Sequence, residues 1–218
     1  MNYELLTALS FSVMIPVIVS FFKFNEIRPI YFPFILKVWS GALNEVVSEI
    51  LISNVHYNII NSNIFNLVEC WLVLWFFYNL GNFYKNKTIT LSLGFIFTGI
   101  WIVENFIMNP FGTAFNSWFI IICSFPIVIW SINSINHLLF KEKELLKNPT
   151  FLICIAFVIF FTYRMVVEVF WLYGLMSNYV QFRVNVYHIH SFTNFLCNLI
   201  YALAILWMRK KQAFSLQF

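Results

Sequence analysis

Seven long apolar runs, separated by short polar breaks, dominate the chain. They cover about 3–22, 30–53, 58–82, 88–108, 115–139, 150–176 and 185–208. Each is long enough for a helix rising 1.5 Å per residue to cross a hydrocarbon core of about 30 Å. The breaks carry turn and capping residues: Asn25 to Pro29, Asn54 to Tyr57, Lys85-Asn86-Lys87, Asn109-Pro110-Phe111-Gly112, Lys141 to Pro149 and Ser177 to Arg183. Pro29 and Pro149 stand where a helix begins, and Pro16 and Pro126 fall inside apolar runs, where they are expected to bend a helix. The pattern predicts an all-α, polytopic membrane bundle, one domain of seven transmembrane helices over residues 1–218.

Composition supports this. Hydrophobic residues make up 61% of the 218 and charged residues 10%, against about 45–50% and 25% in soluble domains. A soluble globule cannot hide that much apolar surface, so soluble enzymes and nucleic-acid binders are excluded and the lipid bilayer is the expected partner. Glu4 before the first run and Lys23 after it are the reverse of a cleavable leader. The four cysteines, Cys70, Cys123, Cys154 and Cys197, all lie in apolar runs and read as packing residues rather than a disulfide framework.

The net charge of +4 matters by position. Breaks after odd-numbered runs hold Lys23, Arg28, Lys85, Lys87, Lys141, Lys143, Lys147, Arg209, Lys210 and Lys211, while the opposite breaks hold Arg183 alone. Basic residues accumulate on the cytoplasmic side. The chain is therefore expected in the inner (cytoplasmic) membrane, N-terminus outside and C-terminus in the cytoplasm. Lys37, near the inner end of the second run, is expected to snorkel to the headgroups.

Ionisable residues inside a membrane are costly, and by default each is a functional hypothesis. With this orientation they collect in the outer half. Glu45 and Glu49 are four apart on the second helix, Asn66 and Glu69 three apart on the third, and Glu104 ends the fourth. Arg164 and Glu168 are four apart on the sixth and so able to pair. His190, Asn194 and Asn198 step by four along the seventh. These spacings place each set on one helical face, and lipid cannot satisfy such faces. The ten residues are the candidate ligand-binding set, lining a polar, mostly acidic cavity open to the outside. Arg164, with five N–H donors, needs a second acceptor from another helix, with Glu45, Glu49 and Glu69 the candidates. The plainer reading is that these groups are hydrogen-bonding glue between helices.

No catalytic or metal set is assigned. His188 and His190 are two apart and point to nearly opposite sides of a helix, and no His-Glu-x-x-His run exists. A retinal pigment would need a lysine between Asn185 and Met208, and there is none. No cofactor is expected.

A weak internal repeat is present. A shift of 132 positions brings His56, Asn66, Leu67, Leu74 and Trp75 onto His188, Asn198, Leu199, Leu206 and Trp207. It suggests two three-helix units in the same orientation joined by one helix, a 3+1+3 plan.

The order of motifs, Asn44-Glu45-Val46-Val47-Ser48-Glu49, then His56-Tyr57 through Asn66 to Glu69, then His190-Ser191-Phe192-Thr193-Asn194 with Asn198 and Tyr201, resembles a group of uncharacterised seven-helix membrane proteins common in Bacteroidota. The resemblance implies the seven-helix fold and brings no activity with it. Three functions lead: a receptor or sensor for a small polar or cationic ligand or protons, signalling to a cytoplasmic or membrane partner; a small-solute transporter; and a structural membrane subunit. An intramembrane metal hydrolase is the remaining reading.

Overall fold

A computed structural model describes residues 3–81, 86–140, 144–175 and 179–208. The first helix is built of α1 (Tyr3–Ser10) and α2 (Met14–Lys23), joined by a 3-10 turn over Phe11–Val13 that comes just before Pro16. Then follow α3 (Phe32–Val55), α4 (Ile59–Leu80), α5 (Lys87–Ile102), α6 (Ser117–Leu139), α7 (Pro149–Leu172) and α8 (Val180–Trp207). A π-helical turn, Val103–Met108, extends α5. Among the described residues the fold is all-helical, with seven long helices.

Local chemistry sets several boundaries. Asn148 caps α7 by accepting the backbone N–H groups of Thr150 and Phe151, with Pro149 in the first turn, where its missing donor is no loss. Gly81 ends α4 at φ +89°, its N–H turned back to the carbonyls of Phe77 and Tyr78; that left-handed conformation suits glycine. The last helix starts at Val180, earlier than the apolar run suggests, so Arg183 sits in its first turn and not in a loop.

Six helices are long and apolar enough to cross a membrane: Thr7–Glu26, Ile59–Leu80, Lys87–Met108, Ser117–Leu139, Pro149–Leu172 and Val180–Trp207. The seventh, α3, is long enough, but Lys37, Glu45 and Glu49 dilute its apolar character. Large apolar side chains face outward all round, among them Phe21, Phe22, Leu43, Phe95 and Phe125. Water would make such a surface aggregate, whereas lipid accommodates it.

Packing order follows the contacts. The first helix touches α3 and α8, α3 touches α4, α4 touches α6, α6 touches α7, and α7 touches α8. Six helices thus form a closed ring, with α5 outside it against α4 and α6. At one end, Tyr31 and Thr150 share a hydrogen bond of 3.0 Å, and Asn79 reaches the Ile30 carbonyl at 3.4 Å. Lys23, Arg28, Lys87 and Lys147 belong to this basic end; Lys85, Lys141, Lys143, Arg209, Lys210 and Lys211 lie outside the described residues. The half of the ring nearest it is filled by Phe34, Phe76, Phe77 and Phe157, all essentially sealed and packed as tilted or edge-to-face rings with centroids 5.5–6.2 Å apart. Lipid removes the hydrophobic drive between helices, so this interlocking is what holds that half together.

Candidate functional site

The opposite, polar half of the ring encloses a cavity of about 270 Å³. Each wall is one helical stripe. On α3 it is Lys37, Gly41, Asn44 and Glu45; on α4, Ser62, Phe65, Asn66 and Glu69; on α7, Phe160, Arg164, Val167, Glu168 and Trp171; on α8, Tyr187, His190, Asn194, Asn198 and Tyr201. The three- and four-residue steps explain why these side chains meet, since they share a face.

Glu69 is the hub of the cavity floor, at the middle of α4 and 3% exposed. Lys37 Nζ lies 3.3 Å from one carboxylate oxygen and Arg164 Nη1 2.6 Å from the other. Arg164 Nη2 donates to the Asn66 side-chain oxygen, and Asn66 Nδ2 donates to Asn116 Oδ1 at 2.8 Å. Three helices are thus tied by one carboxylate. Arg164 therefore finds its second acceptors on α4. Glu168, one turn along, accepts instead from the Ser117 hydroxyl at 2.6 Å.

Lys37 differs from the expectation that it snorkels to the headgroups. It is buried, turned into the bundle, and lies over the rings of Tyr201, Phe160 and Phe157 at 4.8, 5.4 and 5.8 Å. An aromatic face and a carboxylate together replace its water. The signal was there in the spacing, since 37, 41 and 45 form one stripe. Tyr201 likewise continues the stripe 190, 194, 198. With Lys37 included, the cavity carries two cations against three carboxylates, Glu45, Glu69 and Glu168. It is mixed in charge, not mostly acidic.

Eight of the ten candidate residues line this cavity: Glu45, Asn66, Glu69, Arg164, Glu168, His190, Asn194 and Asn198. Asn198 also donates to Ser12 Oγ at 2.8 Å, joining α8 to the first helix. Glu49 and Glu104 are not in the lining. Glu104, in the π-helical turn, accepts the backbone N–H groups of Trp118 at 2.9 Å and Phe119 at 2.6 Å, capping α6 from another helix. Beside it Asn63 donates to Asn105 Oδ1 at 2.7 Å and to the Ala114 carbonyl at 3.0 Å. These groups fasten α4, α5 and α6 together and leave the cavity alone.

Two polar atoms in the cavity wall are buried without a protein partner, Tyr201 Oη and His190 Nδ1. Among the described residues no three His, Cys or Glu side chains gather as metal ligands do. No protein-family model matches the chain, and no curated protein and no solved structure matches it.

Proposed function

We propose that this is an integral membrane receptor or sensor, set in the cytoplasmic membrane with its N-terminus outside, whose outward-facing cavity binds a small polar solute or protons. The observation that carries the reading is the closed floor. The charged lining of the cavity stops at Lys37, Glu69 and Arg164, and among the described residues the sealed rings of Phe34, Phe76, Phe77 and Phe157 fill the bundle beneath them. A site reached from one side, whose charged floor ties three helices together, suits detection. An occupant that competes for Arg164 or Lys37 would alter how α3, α4 and α7 pack, and a cytoplasmic or membrane partner would read the change.

A second reading, a 3+1+3 transporter, draws on the helix order. The fourth helix lies outside the ring formed by the other six, and the sequence-repeat partners Asn66 and Asn198 both line the cavity. Proteoliposomes separate the two. A solute that stabilises the purified protein but is not taken up supports the receptor, and uptake of that solute selects the transporter. Reporter fusions placing the 141–149 segment outside would overturn the orientation.

A further inference from the structure

The cavity sorts its charges along the bundle axis. Its floor holds Lys37, Arg164 and Glu69, two cations sharing one carboxylate. The floor itself thus holds one more cation than carboxylate, at a depth where a charge needs a partner. Of the five guanidinium N–H donors, the Glu69 and Asn66 bonds use two. Nearer the mouth stand Glu168 on α7 and Glu45 on α3. The Tyr201 hydroxyl, on a side chain 3% exposed, has no protein partner, and neither has His190 Nδ1. A buried hydroxyl without a partner is destabilising unless something else meets it.

We infer that the cavity takes a small zwitterion, its anionic group seated on Lys37, Arg164 and the Tyr201 hydroxyl and its ammonium group held between Glu45 and Glu168. This rests on the reading of the cavity as a solute site and names the chemical class of the solute. A simple cation would meet repulsion at the floor, and a simple anion would have to pass two carboxylates with nothing to balance them. Size narrows the class. The cavity of about 270 Å³ falls below the roughly 300–1,000 Å³ that drug-sized ligands occupy. Arg164 to Glu168 is one helical turn, a rise of about 6 Å, and Lys37 to Glu45 is two turns, about 12 Å. Opposite charges separated by several bonds, as in an ω-amino acid, match that spacing better than the adjacent charges of glycine.

The test is calorimetric titration of the purified full chain in detergent with 5-aminopentanoate, pentanoate, pentylamine and glycine. The zwitterion is expected to bind at least tenfold more tightly than either single-charge analogue, and more tightly than glycine. Lys37→Gln should bring 5-aminopentanoate down to pentylamine, and Glu168→Gln should bring it down to pentanoate. Should Lys37→Gln fail to fold, Tyr201→Phe, which removes only the oxygen, should still weaken the zwitterion severalfold and leave pentylamine unchanged. Pentylamine or pentanoate binding as tightly as the zwitterion overturns the proposal while leaving a solute site in place. Silence of all four probes, with a single-charge or uncharged solute from a wider screen binding instead, does the same. Silence of the probes and of the whole screen removes the solute-site reading as well.

Discussion

Glu69 and Glu104 are equally hidden, each 3% exposed, yet they solve the burial of a carboxylate in opposite ways. Glu69 is met by side chains, a lysine from α3 and an arginine from α7, and it borders a cavity. Glu104 is met by the backbone, two N–H groups in the first turn of α6. Those N–H groups have no partner within their own helix, and the positive end of the helix dipole adds to the attraction. Such a bond fastens and does nothing else, because the backbone cannot swing to another acceptor. The cations around Glu69 sit on long flexible stems and can be shared with an arriving anion. Burial alone therefore does not separate a candidate site from a fastening; the identity of the partner does.

Four substitutions would break or sharpen this contrast. Glu69→Gln should do the most damage, because it leaves Lys37 and Arg164 facing one another without an anion. A loss of about 3–5 kcal/mol, the scale for breaking a buried pair, should appear as a lowered midpoint in SDS unfolding or as failure to recover monomeric protein. Arg164→Met removes one cation but leaves Lys37 to balance Glu69, so about 1.5–3 kcal/mol is expected, the scale of hydrogen bonds to charged groups, together with loss of solute binding. A stable Arg164→Met protein with unchanged binding would end the mechanistic role given to this cluster. Glu104→Gln keeps an acceptor but drops the charge, and should cost about 1 kcal/mol, the scale of a helix cap, with solute titrations unaltered. If it matches Glu69→Gln, the two carboxylates are not different in kind. Arg183→Met, in the first turn of α8, should stay within about 0.5 kcal/mol and leave binding intact.

The helices were legible because runs of some 20 apolar residues have few other readings, and α3 was legible as a helix because apolar residues still fill most of 30–53 despite Lys37, Glu45 and Glu49. The start of α8 was not, since Gln181 to Asn185 are polar enough to pass for a loop while remaining compatible with a helix that continues past the apolar run. The stripe 190, 194, 198 on α8 and the pair 164, 168 on α7 show from spacing alone which residues can share a cavity. Lys37 was misplaced because its height along α3 was read without the direction it faces; a lysine stem reaches far enough to bring its charge to mid-bundle. Glu104 was grouped with the cavity because a backbone partner leaves no trace in composition. Only the arrival of the α6 N-terminus beside the π-helical turn reveals it.

The burial of all four cysteines carries a practical consequence. Cys70, Cys123, Cys154 and Cys197 are each at most 4% exposed, and Cys70 Sγ lies 3.5 Å from Cys123 Sγ inside the bundle. Membrane-impermeant maleimides should leave the folded wild-type chain unlabelled, so the protein supplies its own dark background for thiol tagging. A single cysteine placed at exposed Thr113, between α5 and α6, would then be the sole reactive handle. Its tagging in intact cells would report which side of the membrane the polar end faces, with no native thiol replaced and no packing disturbed.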